Sequence, residues 1–95
     1  MDELIITVRF FNVLSKYAGK QQIEIHLPSG STLRQALETL DNRDTPQLHQ
    51  ILFTDGNISK YIKIFRNQNL ITQELYELNL ENGDEIMLLP AIAGG

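Results

Sequence analysis

The sequence predicts an α+β fold, a mixed sheet packed against one main helix. Three observations carry this. Residues 4–10, 21–27 and 60–66 place apolar positions at every second residue, and 85–89 reads as a last strand. Leu33, Ala36, Leu37 and Leu40 have the spacing of a single apolar helical stripe. The resulting order is two strands, a main helix with a shorter one after it, then two strands. That is too mixed for a parallel α/β sheet and suits one mixed sheet with a helix on one face.

The elements follow in order. In the first strand Ile6, Val8 and Phe10 share one face, and Ile5, Thr7 and Arg9 the other. Residues 11–20 suit a loop with a short helical turn ending at Gly19-Lys20. Ile23, Ile25 and Leu27 point inward from a second strand, antiparallel to the first. Pro28-Ser29-Gly30 breaks it. Thr32 followed by Gln35 is a capping-box spacing, so the main helix starts there and runs to about Asp41.

Asn42-Arg43-Asp44 reads as a polar loop. Thr45-Pro46 reads as N-cap and first residue of a shorter helix carrying Leu48, Ile51 and Leu52. Asp55-Gly56 is expected to end that helix. Ile62 and Ile64 face inward from the third strand, Asn67-Gln68-Asn69 is a turn, and Leu70 and Ile71 pair briefly beyond it. Leu75, Leu78 and Leu80 are expected to cap the core from a loop. Glu81-Asn82-Gly83-Asp84 is a tight turn with Gly83 available for positive φ. In the last strand Ile86 and Leu88 face in, Met87 and Leu89 out.

Composition bounds the function. With 95 residues, 42% apolar and 21% charged, residues 1–95 are expected to form one domain with 90–95 a flexible C-terminal tail. The absence of cysteine excludes disulfides, thiolate metal sites and a cysteine nucleophile. No apolar run approaches about 20 residues, so no membrane span is expected. The acidic start Met1-Asp2-Glu3 lacks a basic signal region, which places the protein in the cytoplasm. A net charge of −4 argues against nucleic acid as a partner. Glu74, Glu77, Glu81, Asp84 and Glu85 lie close together without an intervening Lys or Arg. They read either as a solvated surface or as a patch steering a basic partner toward the tail.

The chemistry points to the ending. Two terminal glycines arise by chance about once in two hundred chains at average glycine usage. Gly94 and Gly95 lack Cβ atoms, which frees their backbone and leaves a terminal carboxylate sterically open. Pro90 suits the exit of a strand. From Pro90 onward the chain reaches on the order of 20 Å when extended, enough to enter a narrow cleft. A partner holding ATP could adenylate that carboxylate and open it to attack by sulfur or an amine. Read from these residues alone, the ending is equally that of a frayed terminus. No triad, phosphate loop or metal cluster is visible, and His26 and His49 read as surface or packing residues.

Asn82-Gly83-Asp84-Glu85-Ile86 followed by Leu88-Leu89-Pro90-Ala91-Ile92-Ala93-Gly94-Gly95 resembles the ending of the MoaD/ThiS family of ubiquitin-like sulfur carriers. Pro28-Ser29-Gly30-Ser31-Thr32-Leu33 resembles that family's lead-in to its main helix, and Arg9-Phe10-Phe11 its first strand. Phe65-Arg66-Asn67-Gln68 falls where the family carries an apolar strand ending in Asn-Gly. Arg66 is a departure, since an apolar residue is usual there. The stretch 41–59 resembles the longer MoaD-like proteins, which include carriers for cysteine synthesis and archaeal protein modifiers.

The resemblance implies a β-grasp (ubiquitin-like) fold and a protein co-substrate rather than an enzyme. Gly95 would be adenylated by a ubiquitin-activating-type adenylyltransferase using ATP, then converted to a thiocarboxylate. As in the small subunit of molybdopterin synthase, Pro90, Ala91, Ile92, Ala93 and Gly94 would insert into the large subunit or another sulfur-accepting enzyme and deliver sulfur for molybdenum cofactor biosynthesis. No bound cofactor and no metal are implied. Ile5, Phe65, Met87 and Leu89 fall on the sheet face opposite the helix and are the candidate partner-binding patch. The alternatives are a carrier for cysteine or thiamine synthesis, a modifier forming isopeptides, and a non-catalytic β-grasp binding module.

Overall fold

The computed structural model describes residues 3–41, 50–72 and 76–91. Strand β1 (Glu3–Phe10) pairs antiparallel with β2 (Gln22–Pro28), with a short helix α1 (Val13–Ala18) between them. Helix α2 (Leu33–Asp41) follows. A helical stretch over 50–52 runs into a small hairpin, β3 (Phe53–Thr54) and β4 (Asn57–Ile58). Then come β5 (Ile62–Arg66), β6 (Asn69–Ile71) and β7 (Glu85–Pro90). The five-stranded sheet has the order β2-β1-β7-β5-β6; β7 is parallel to β1 and antiparallel to β5.

Alternation makes the faces. Ile6, Val8, Ile25, Ile64, Ile86 and Leu88 are all fully or almost fully buried against Leu33, Ala36, Leu37 and Leu40 of α2. The expected capping box is present. The Thr32 amide donates to Gln35 Oε1 at 2.9 Å, and the Gln35 amide to Thr32 Oγ1 at 3.3 Å. Gly83 takes φ 90° in the turn before β7, as that turn requires.

Two expectations are corrected. Asp55-Gly56 does not end a helix. The helical stretch stops at Leu52, and Asp55 (φ 54°) and Gly56 (φ 80°) form the two-residue turn of the β3–β4 hairpin. Leu78 does not cap the core, being 51% exposed, whereas Leu80 is buried and its amide donates to the Ser31 carbonyl at 2.7 Å. The short helical turn expected in 11–20 is α1, which ends at Gly19 and places Leu14 in the core. The expected polar loop at 42–44, the helix start at Thr45-Pro46, Leu48 and Leu75 lie outside the described residues.

Candidate functional site

β7 is the mount of the C-terminal segment. It is a central strand, held by β1 on one side and β5 on the other. Near its end Leu88 pairs with Phe10 and accepts the Phe11 amide at 3.1 Å. Pro90 pairs with Ile62 and has no N–H of its own to give. The ladder closes one residue later, where the Ala91 amide donates to the Tyr61 carbonyl at 2.7 Å. Pro90 and Ala91 of the expected tail are therefore tied to the sheet. Ile92, Ala93, Gly94 and the Gly95 carboxylate lie outside the described residues.

The sheet face opposite α2 carries the candidate patch. Met87 stands between Phe65 on β5 and Arg9 on β1, and Leu89, one pleat further, stands opposite Lys63. Phe65, Met87 and Leu89 are half-buried. Leu70 on β6 pairs with Phe65 and is 55% exposed, which extends the apolar strip to the sheet edge. Strand parity after the Asn67-Gln68 turn is the signal that places Leu70 there. Ile5 does not join this strip. It lies four residues from Arg9 along β1, about 13 Å, beside the 81–84 turn. Its amide donates to Asn82 Oδ1 at 2.8 Å and its carbonyl accepts the Gly83 amide at 3.0 Å. Thr7 and the Arg9–Glu85 ion pair (3.6 Å) separate it from Met87.

The acidic cluster does not steer toward the tail. Asp84 and Glu85 stand at the start of β7 and the C-terminal segment leaves its far end, five residues or about 17 Å away. Asp84 is buried and pairs with Arg66 at 2.8 Å; Glu77 pairs with Arg34 at 2.7 Å and Glu85 with Arg9. Glu74 lies outside the described residues, as does His49. His26 is exposed beside Glu3, with Nδ1 3.1 Å from its carboxylate. Among the described residues no three His, Cys, Asp or Glu side chains gather to hold a metal, and no helix is long and apolar enough to cross a membrane. Among the described residues Tyr76 is the one group whose proton affinity clearly departs from its ordinary value, with burial raising its pKa.

This arrangement defines a class of protein. A rigid β-grasp sheet, with a helix on one face and an apolar strip on the other, holds the root of a glycine-ended segment on its central strand. The sequence profile of the ThiS family matches residues 8–95, and the chain belongs to that family. Its members are small ubiquitin-like sulfur carriers and protein modifiers that act as co-substrates.

A protein of Archaeoglobus fulgidus, provisionally named a sulfur carrier protein, is 35% identical over 65 residues, covering 67% of this chain and 74% of its own. The small archaeal modifier protein 1 of Methanosarcina acetivorans superposes with a TM-score of 0.81 at 25% identity, covering all of both chains. A Pyrococcus furiosus protein, provisionally named molybdopterin converting factor subunit 1, gives 0.76 at 22% identity, over 94% of this chain and 99% of its own.

Proposed function

We propose that the protein is a cytoplasmic sulfur carrier that works through the Gly95 carboxylate. A ubiquitin-activating-type adenylyltransferase binds the outer sheet face and draws in residues 92–95. A carboxylate oxygen attacks the α-phosphorus of ATP and pyrophosphate leaves. Hydrosulfide from the sulfur donor then attacks the acyl carbon, AMP leaves, and loss of the proton gives a thiocarboxylate. The carrier supplies the reacting atom and the docking surface, and delivers its sulfur in molybdopterin synthesis through a large subunit that receives the same segment.

The observation that carries this is the fixed root at Ala91, combined with a family match extending through Gly95. A carboxylate four residues beyond a fixed point reaches at most about 14 Å, which sets how deep the partner's reacting centre lies. Incubation with ATP, a sulfur donor and the host's activating enzyme, followed by intact-mass analysis, tests it. Exchange of one oxygen for sulfur adds about 16 Da. An unchanged mass, with pyrophosphate exchange also absent, overturns the proposal in favour of a plain binding module.

The full-length likeness to an archaeal protein modifier supports a second reading, isopeptide formation between Gly95 and a target lysine. Both readings share the adenylate. Larger conjugates on a denaturing gel of cell extract mark the modifier. Delivery of sulfur to cysteine or thiamine synthesis leaves the same thiocarboxylate and is separated only by which acceptor enzyme binds.

A further inference from the structure

The chain is acidic overall, yet its charges are segregated. Residues 9–23 and 56–73 contain all four lysines and not one aspartate or glutamate, and residues 86–95 add no acidic side chain. The fold brings the lysine-bearing parts of these segments to one end of the sheet. β1 ends at Phe10 beside Leu88, so Lys16 on α1 and Lys20 after it lie at the end where β7 finishes. The Phe10 amide donating to the Gln21 carbonyl at 2.8 Å fixes the return of that loop at the same end. β5 begins at Ile62 opposite Pro90, so Lys60 lies there too, and Lys63 faces Leu89.

All four lysines are exposed, and none makes an ion pair among the described residues. Lys60 lies 5.5 Å from the Tyr61 ring centroid, and Tyr61, whose carbonyl holds Ala91, is 57% exposed. The other two cations of these segments, Arg9 and Arg66, are paired with Glu85 and Asp84. Glu3, Glu81, Asp84 and Glu85 sit at the far end.

Resting on the carrier reading above, we propose that Lys16, Lys20, Lys60 and Lys63 form a cationic collar around the tail root that docks on a carboxylate-ringed mouth of the activating enzyme. The fit is one of charge and shape. The apolar strip of Met87, Leu89 and Phe65 and the Tyr61 ring meet the mouth's apolar floor. Four exposed ammonium groups at its rim, without an ion pair among the described residues, call for carboxylates opposite them. The polarity also orients the approach. Within about one Debye length, roughly 8 Å at physiological salt, a partner of acidic surface meets attraction at the tail end and repulsion at the other. Such steering raises association rates by about 10 to 1,000-fold.

The test is ATP–pyrophosphate exchange by the host's activating enzyme with the carrier as the varied substrate. The paired reversals Lys60→Glu with Lys63→Glu, and Lys16→Glu with Lys20→Glu, should each lower kcat/KM about tenfold or more at low salt. They should leave kcat at saturation within about twofold and flatten the salt dependence. Glu81→Lys, at the opposite end, should change kcat/KM by less than about twofold. Wild-type exchange with lysine reversals that match it overturns the collar alone. Equal and opposite effects of the lysine reversals and Glu81→Lys mean net charge, and also overturn it. No exchange by the wild type overturns the carrier reading and the collar with it. Micromolar binding of a single-stranded oligothymidine that the reversals abolish would reassign the lysines to nucleic acid.

Discussion

Arg66 and Asp84 join the end of β5 to the turn that starts β7. Arg66 Nε and Nη2 reach Asp84 Oδ2 at 2.9 and 2.8 Å. The same oxygen accepts the Glu81 amide at 2.8 Å, and Oδ1 accepts Asn67 Nδ2 at 2.9 Å. Asn67 in turn takes the Glu85 amide on its Oδ1 at 2.9 Å and donates its own amide to the Glu85 carbonyl at 2.8 Å. A buried carboxylate with four donors is satisfied, and two adjacent turns become one unit. This is why a charged residue stands where the family usually has an apolar one.

Removing the carboxylate leaves Asn67, the Glu81 amide and a three-quarters-buried Arg66 without their acceptor. Losing one partner of a buried pair costs about 3–5 kcal/mol. Arg66 keeps some solvent, so Asp84→Ala should lower the unfolding free energy by about 2–3 kcal/mol. Urea denaturation at unchanged slope measures it. A loss below about 0.5 kcal/mol, the range of an ordinary surface change, would mean that the ion pair is ornamental.

Much of this fold is legible in the sequence because β-structure has a period of two. Parity alone assigns Ile6, Val8 and Phe10, Ile62 and Ile64, and Ile86 and Leu88 to the core, and all are buried. Parity cannot say where along a strand a residue meets its neighbour. Ile5 and Met87 share a face, yet the register of β1 against β7 sets them apart. The β3–β4 hairpin was hidden because strands of two residues show no alternation, and Asp-Gly reads equally as a helix stop. Asp84 counts as one acid among several until the fold buries it. Leu78 and Leu80 look alike in sequence; the Thr32–Asn79 bridge and the bond from the Leu80 amide to Ser31 hold this segment against the start of α2, which no local pattern announces.

Asn12, between β1 and α1, has φ 56° and ψ −132°, a conformation that favours glycine. Its side chain makes no capping bond, and its carbonyl accepts the Ser15 amide and hydroxyl at 3.1 and 2.7 Å. Glycine can make those backbone contacts without strain. Strain relief of about 1–3 kcal/mol outweighs the added unfolded-state entropy of up to about 1 kcal/mol. Asn12→Gly should therefore raise Tm by several degrees in a thermal melt. A lower Tm would show that the backbone angle is not held under strain.

Tyr76 packs against the core with its pKa raised above 10.0 by desolvation. The folded protein then holds that proton more tightly than the unfolded chain. Below pH 10 both states are protonated and the full stability is present. As pH rises past 10 the unfolded state ionises first, and stability falls through the folded pKa. Denaturation at pH 9 and pH 11 should show a smaller alkaline loss for Tyr76→Phe than for the wild type. Equal losses would mean that Tyr76 does not contribute.

Leu89 faces outward beside Lys63 and is half-buried, so a charge there disturbs docking before it disturbs the core. Leu89→Asp should weaken binding to the activating enzyme by about tenfold or more, equivalent to about 1.4 kcal/mol, while Tm moves by only a few degrees. Ile5→Asp, outside the strip, should weaken it less. Titrations in which Leu89→Asp binds as tightly as the wild type would move the interface off this face.

Gly94 and Gly95 carry the strongest consequence of the carrier reading. A Cβ at Gly94 would meet the walls of a narrow channel or bar the backbone angles it demands. Deleting Gly95 would draw the carboxylate back by one residue, about 3.3 Å. A misplacement of about 1 Å can already cost a hundredfold in rate. Among the described residues the buried core ends at Leu88 and the last ladder bond is that of Ala91. Gly94→Val and the Gly95 deletion should each abolish ATP–pyrophosphate exchange while leaving Tm within about a degree or two of wild type. Exchange at the wild-type rate by the deletion variant would mean that the terminus is idle, and the binding-module reading would replace the carrier.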